Sequence, residues 1–582
     1  MTEYFEIHER DSAARLGELR LDEPVTTPAL VDELREDAGS QWTPGDTAVE
    51  GDESTLTILP HRAFPGGTPE EVEEAFATEY PDVDVPSAAV VSPGTATDHG
   101  TDAYVLSNAQ ELAGHARAFV EAIIETREAI PADTALYLPG VATPGNVATL
   151  AYAGVDLFDT DQAVLEGLQG KYLGTDGEAF LEDLTELPCA CPACQRPRSE
   201  FDREDCAEHN EHALRAALGT VRERIRSGRL RDYIEGQARH EQWLTAVFRR
   251  LDQQYGHLEQ RTPVLRRNGI TAATDDTLRR VEIQRYAERV TNRYRNRFDA
   301  PLVLVPCSAR KPYSDSQSHA QFHDAIQYRG HLVSMTSPIG VVPQELELTY
   351  PAQHYDSVVT GEWTATEIEF VSDVLAAYLR RNEYPRHIAH VPEDYRPICE
   401  RAAEKTGVEF EYTVSDHPTT ADSLANLAST LADEPKYRKR ERQHNTVRAI
   451  ADYQFGEGAG AEIFDELSVE SRYPKLRATD DDGEQLAMLV PEYGLLAFTI
   501  AGARRWVDSA APTKRVEIDA FVPHGSVLAP GVVDASESIR VGDEVVIEGP
   551  KAFAVGRAKM SGPEMVESTR GIASSVRHLD ER

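Results

Sequence analysis

At 582 residues the chain is too long for one core, and at roughly 100–200 residues per domain it implies three to five domains. Asp and Glu number 99 against 59 Lys and Arg, a formal net charge of -40, and only nine of the cations are lysines. Such an acidic, Lys-poor, Arg-rich chain fits a high-salt cytoplasm, where the Debye length shrinks to about 3 Å, so the charge does not exclude a nucleic-acid partner.

A hydrophobic content of 41 % excludes a disordered polymer, and no apolar run approaches the roughly 18 residues of a membrane span. Residues 1–10 carry acids and no apolar stretch, so no signal peptide is expected and the localisation read is cytoplasmic. Six cysteines without a secretion signal point to metal or catalytic use rather than a disulfide framework.

In chain order, residues 134–160 read as strand, turn, helix, strand, from Ala135-Leu136-Tyr137 to Val155-Asp156-Leu157-Phe158-Asp159, which implies a parallel sheet or barrel. From 207 to 298 the pattern is helical, with Leu214, Leu218, Val221 and Ile225 on one face and a second, Arg-rich helix over 277–297. A new α/β unit starts at the apolar run 302–305 and continues through a helix near 370–379 and a strand at 387–391. After a basic helical stretch over 438–448 the tail turns strand-rich. Residues 513–582 hold nine basic and eleven acidic side chains, electrically unlike the rest of the chain.

Cys189, Cys191 and Cys194 place three thiols within six residues, and His209 follows fourteen residues later. Thiolate and imidazole are the ligands of a closed tetrahedral zinc site, whose role is structural. Cys206 and His212 compete with His209 for the fourth position. The Cys-x-Cys-x-x-Cys string followed by His209-Asn210, and preceded by Gly154 to Asp159, resembles the zinc-binding end of a tRNA-guanine transglycosylase barrel. That resemblance favours His209. The family's Asp-Ser-Gly-Gly-Phe-Gln string is absent, and the 188 residues before the cluster are short for a (β/α)₈ barrel, so a degenerate barrel is expected.

The strand at 302–305 runs into Pro306-Cys307-Ser308-Ala309-Arg310-Lys311-Pro312-Tyr313-Ser314-Asp315-Ser316-Gln317-Ser318-His319. A cysteine at the end of a buried strand, followed by backbone N–H groups and two cations, is a candidate nucleophile. Lys311 persists where the chain otherwise uses Arg, and unlike Arg it can be neutral when desolvated. Tyr313, Asp315 and His319 supply further groups for acid–base work. Ser308, Arg310 and Ser316 are read as substrate contacts, and Glu345 and Asp356, from a Pro- and Gly-punctuated stretch further on, as contacts for a donor amine.

The pattern Pro-Cys-x-x-x-Lys-Pro-Tyr-x-x-Ser-x-x-His resembles the signature of the archaeosine synthases, archaeal paralogues of the transglycosylases, and a halophilic archaeon is the implied source. Residues 513–582, with alternating Val and Ile and Gly turns, are similar to a PUA RNA-binding barrel, and 441–512 resemble the small domain before it. The expected architecture is multidomain α/β and α+β: a degenerate TIM-barrel-like transglycosylase domain with a zinc site (1–297), a central α/β domain (298–440), a small α+β domain (441–512) and the PUA β-barrel (513–582).

The resemblance implies a transferase of tRNA processing. It would convert the nitrile of preQ0 (7-cyano-7-deazaguanine) at position 15 of the tRNA D-loop toward archaeosine, through a thioimidate on Cys307 and an amine donor of glutamine, ammonia or lysine type. The expected partners are preQ0-containing tRNA, that donor, a radical-SAM protein and a second copy of the chain, with no membrane. Base-exchange transglycosylation and a non-catalytic tRNA-presenting subunit are the alternatives.

Overall fold

The structure, a computed structural model, describes residues 3–42, 49, 51–64, 67–358 and 361–582. Residues 1 and 2 of the segment inspected for a leader lie outside the described residues. The chain forms two compact units: Met1–Pro263 with Val527–Val532 and Met560–Ala573, and Val264–Ser526 with Val533–Lys559 and Ser574–Arg582.

The first unit opens with an antiparallel sheet of β1 (Phe5–Asp11), β2 (Ala14–Leu19) and β3 (Val25–Thr27). Seven short strands follow: β4 (Ala29–Leu30), β5 (Arg35–Asp37), β6 (Leu56–Ile58), β7 (Ser87–Val91), β8 (Ala103–Leu106), β9 (Ala135–Tyr137) and β10 (Leu157–Phe158). All neighbours pair in parallel, in the order β5-β6-β7-β8-β9-β10-β4. That is the chain order carried round a ring and interrupted only between β4 and β5. Residues 31–34 join those two strands and reach at most about 14–18 Å, so the sheet must curl its edges toward each other as an open half-barrel. Every residue of β7, β8 and β9 is buried, as in parallel sheets covered on both faces.

The predicted helix follows as Arg203–Arg226, opened by a reciprocal cap between Asp202 and Asp205 and burying Leu214, Leu218, Val221 and Ile225. It approaches the helix Asp161–Leu168 so closely that a methyl group on Gly167 would sit 2.4 Å from Ala207 Cα.

The expected Arg-rich helix over 277–297 is shorter, Val281–Asn292, because Thr274 caps a separate 3-10 turn and Arg280 is extended. It lies in the second unit, where Ile283, Tyr286 and Val290 share a core with Leu302 and Leu304.

Numbering on from the half-barrel, the hairpin β11 (Lys171–Leu173) and β12 (Glu178–Phe180) belongs to the first unit, and β13 (Ile270–Ala272) begins the second. The central sheet of the second unit contains β14 (Leu302–Pro306), β15 (His331–Thr336), β16 (Gly340–Pro343), β18 (His387–Ala389) and β19 (Glu411–Tyr412), in the order β16-β15-β14-β18-β19. Only β16 runs antiparallel. Alongside, β13 pairs in parallel with β17 (Tyr355–Ser357). The chain passes from β14 to β15 on one side and later to β18 on the other, which opens a crevice at the C-terminal ends of β14 and β18.

The helix Lys439–Phe455 leads into a four-stranded antiparallel sheet within 468–498 and the helix Ile500–Asp508. The C-terminal domain is built on strands Arg515–Ile518, Glu544–Gly549, Ala552–Ala558 and Ile572–Glu581, with the Val and Ile residues of Glu544–Gly549 fully buried. No helix among the described residues is long and apolar enough to cross a membrane.

Candidate active site and metal centre

Cys307 follows the last residue of β14, the middle strand of the parallel sheet, and is half-buried. Its Sγ lies 3.4 Å from the hydroxyl of Tyr395, which comes from the segment after β18 on the other side of the crevice. The thiol opens onto a cavity of about 480 Å3 walled by Ala272, Ser337, Pro338, Trp363, Asp394 and Tyr395, among others. Trp363 stands edge-on to the Tyr395 ring at 4.7 Å and fixes its plane. Burial holds the Tyr395 phenol far above its ordinary range, so it stays protonated and can donate to sulfur.

Lys311 lies beside this pair, its Nζ 3.8 Å from the centre of the Tyr355 ring. Desolvation lowers its pKa, opposed by the charges of Cys307 and Asp356. The Tyr355 hydroxyl is held at 2.6 Å by both Tyr313 and Thr336. Tyr313 in turn stacks on His319 with ring centres 4.7 Å apart and planes nearly parallel. His319 Nε2 pairs with Ser334 Oγ at 3.0 Å, while Nδ1 is buried without a partner among the described residues. Burial pushes His319 down to about 4, so at neutral pH it is an uncharged imidazole.

The other expected residues are placed differently. Ser308, Arg310, Asp315 and Ser316 line a separate open groove of about 570 Å3 at the start of the helix Gln317–Ile326. Asp356 is exposed and acts on the site through its charge on Lys311 and Tyr355. Glu345 is fully buried, with one oxygen accepting from Tyr294 at 3.1 Å and the other 2.9 Å from His331 Nε2, so it braces the fold rather than facing the cavity. Tyr395 and Trp363 were not anticipated. The signal available for Tyr395 was its place after a strand adjacent to β14, where parallel sheets gather ligand contacts.

In the first unit, the ligand atoms of Cys189, Cys191, Cys194 and His209 all lie within 4.8 Å of one another. His209 Nδ1 faces Cys191 and Cys194 sulfurs at 3.5 and 3.4 Å. Its Nε2 lies 3.0 Å from the Leu173 carbonyl, which fixes the tautomer and leaves Nδ1 free to bind a metal. The Tyr172 ring stacks on it at 3.7 Å. Asn210 accepts from Leu173 N and donates to the carbonyls of Ala163 and Lys171, tying helix to hairpin. The competing candidates are spent elsewhere: Cys206 donates to the Lys171 carbonyl and His212 lies against Glu208. Three thiolates and one imidazole can therefore hold a metal ion here.

At the C-terminal ends of β8, β9 and β10 a further cavity of about 580 Å3 is lined by Ala113, Gly140, Gln162, Glu166, Lys171 and Trp243, among others. Lys171 Nζ is bound to Glu166 at 2.7 Å. Asp159, at the end of β10, is fully buried and accepts from Tyr137, Gly140 and Asp161, with Arg35 at 3.4 Å.

Known families match successive segments. Residues 85–242 match the model "Queuine tRNA-ribosyltransferase", 283–431 a "Domain of unknown function (DUF5591)", 445–512 the "Patch-forming domain C2 of tRNA-guanine transglycosylase" and 514–579 the "PUA domain". The chain is 63 % identical over 585 residues to the archaeosine synthase of Haloferax volcanii and 41 % identical over 626 residues to the archaeosine synthase subunit alpha of Methanosarcina acetivorans, each alignment covering all of both chains. It is 29 % identical to the tRNA-guanine(15) transglycosylase of Methanothermobacter thermautotrophicus over 79 % of this chain and 68 % of that one. On these grounds the chain belongs to the archaeosine synthase family.

Proposed function

We propose that the chain is a tRNA-modifying transferase of archaeosine biosynthesis whose reaction centre is Cys307, acting on the nitrile of preQ0 in tRNA. One observation carries this reading: a cysteine at the crevice of the parallel sheet, facing a cavity of about 480 Å3 and accompanied by a desolvated lysine. That volume lies in the range of small-ligand sites.

In this reading Lys311, which desolvation makes easier to deprotonate, takes the thiol proton while the Tyr395 hydroxyl stabilises the thiolate. Sulfur adds to the nitrile carbon, one C–N π bond breaks, and the proton passes from Lys311 to the new imide nitrogen, giving a thioimidate. An amine then attacks the same carbon, the C–S bond breaks, and the proton lost by the amine returns to sulfur. The sum is nitrile plus amine to amidine, with the hard step divided in two. The neutral imidazole of His319 suits it to holding Tyr313, and through it Tyr355 and Lys311, in place.

The donor set of the Cys/His cluster fits zinc in a structural role, clamping the hairpin β11–β12 to the helix Arg203–Arg226. For the domain division we propose a transglycosylase-like half-barrel, an α/β domain that includes the helix Val281–Asn292, the small domain and the PUA domain. If lysine is the donor, a radical-SAM partner would be needed to cleave the adduct, since the chain has no Cys-x-x-x-Cys-x-x-Cys string.

The test is nucleoside mass analysis after incubation with preQ0-tRNA and lysine, glutamine or ammonia in turn. A new mass equal to preQ0 nucleoside plus one of these amines supports the reading. Unchanged preQ0 with every donor sinks it.

A further inference from the structure

Several cations on the second unit are neutralised by carboxylates. Arg386 binds Glu411 and Glu434 at 2.7 Å, and Arg504 and Arg505 are paired with Asp580 and Asp465. With 99 carboxylates for 59 cations, this is the arrangement an acidic chain favours. One stretch concentrates cations that lack such partners. Lys436, Arg438, Lys439, Arg440 and Arg442 fall within seven positions, with Glu441 as the single acid among them. The first four are exposed, and no side chain of the five makes an ion pair among the described residues.

Three nearby carboxylates are committed elsewhere: Glu441 accepts from Arg438 N as a helix cap, Glu434 holds Arg386, and Glu470 holds Arg477. The segment is anchored rather than loose, since Tyr437 N bonds the Tyr328 carbonyl at 2.9 Å and its ring packs on Phe298 at 4.7 Å. Two lysines out of nine sit here, in a chain that otherwise places Arg.

The stretch also adjoins the reaction motif. Arg442 lies close enough to Glu347 and His323 to shift the titration of both. Glu347 in turn accepts from Ser314 N at 2.8 Å. Ser314 lines the groove shared by Ser308, Arg310 and Ser316, and Arg310 is another exposed cation without an ion pair among the described residues. The start of the helix Lys439–Phe455 is thus linked, through Arg442 and Glu347, to the edge of the motif.

Resting on the reading above, we propose that this stretch, with the groove at Arg310, is a docking surface for the phosphodiester backbone of the tRNA, holding the strand beside the Cys307 cavity. A polyanion of phosphates matches a cluster of Arg and Lys side chains that have no carboxylate partner, and binding would release counterions from the RNA.

The test is the triple variant Arg438→Gln, Lys439→Gln, Arg440→Gln in the full chain, binding an unmodified tRNA transcript over a series of salt concentrations. At moderate salt its affinity should drop tenfold or more. The slope of log affinity against log salt should become shallower by about two to three units, near one per phosphate contact. Thermal melting and alkylation of Cys307 should match the parent chain. If the triple variant is misfolded, single Lys439→Gln should lower the slope by about one. Equal affinity and slope in folded variants overturns the proposal. So does competition by polyglutamate as strong as by polyuridylate of equal charge, which would mark an acidic-peptide dock. A parent chain that binds no tRNA overturns both this proposal and the functional reading, which separates the two failures.

Discussion

Two cavities of similar size, about 580 Å3 at the mouth of the half-barrel and about 480 Å3 at Cys307, differ in what their reactive groups are doing. In the barrel, Lys171 is bound to Glu166, and Asp159 is saturated by Tyr137, Gly140 and Asp161. In the α/β domain the Cys307 thiol has one weak hydroxyl partner, Lys311 rests on an aromatic face, and His319 keeps a nitrogen unbonded. Volume does not separate the two. The state of the titratable groups does, and holding them uncompensated, which costs stability, is what marks the Cys307 cavity as the candidate reaction centre.

The sharpest way to break this contrast is Cys307→Ala. Formation of the modified nucleoside should fall below detection while tRNA affinity stays within about twofold; full turnover would leave the thioimidate route without its nucleophile. Next, Lys311→Arg keeps the charge but cannot shuttle a proton at neutral pH, so single-turnover rates should drop on the order of 10²–10⁴-fold. A rate within threefold would show that only the charge matters.

On the barrel side, if the cluster holds its metal structurally, Cys191→Ser should abolish metal binding and lower the melting temperature by several degrees or more, since a structural site contributes folding free energy. Metal analysis and a melt check it, and a metal-free parent chain of equal stability would remove the site.

The unspent histidine gives a pH signature. Burial holds His319 near 4, below its ordinary 6.5, so as pH falls through that window the unfolded chain takes up a proton the folded one refuses. Stability therefore declines between about 6.5 and 4, by on the order of 3 kcal/mol, and the decline ends once the folded imidazole also titrates. Urea unfolding of the parent and His319→Gln at pH 7, 5.5 and 4.5 should show a shallower decline in the variant; parallel curves would mean that His319 contributes nothing.

The smallest effect is expected from Asp159→Asn, which retains an acceptor for Gly140 and should leave nucleoside formation within about threefold. Loss of a guanine-exchange activity in that variant would restore the barrel as a catalyst.

Much of the architecture was legible because its signals are local. The spacing of Leu214, Leu218, Val221 and Ile225 marks a helix face, and the run before Cys307 marks a buried strand. The Cys/His cluster was legible for the same reason, with three thiols inside six residues. Tyr395 was not, since it stands 88 positions from Cys307 and meets it only because β18 lies beside β14. Glu345 misled for the converse reason: an acid in a Pro- and Gly-rich stretch reads as a surface loop, yet His331 and Tyr294 bury it. The length of the helix Val281–Asn292 escaped too, because Thr274 and Arg280 end the pattern through backbone geometry rather than hydrophobicity.

The first unit is not finished when its own 263 residues have been made. It also contains Met560–Ala573, where Glu564 meets Arg10 at 3.0 Å and Thr569 N bonds Asp133 at 2.7 Å. At translation rates of about 5–20 residues per second, the nascent half-barrel waits tens of seconds for those partners to leave the ribosome. Until then Arg10 and Asp133 lack these partners, and contacts spanning 554 and 436 positions are among the last the chain can close. A stop codon near residue 513 would thus cost the cell more than an RNA-binding module, since the earliest-made unit would never receive its closing pieces.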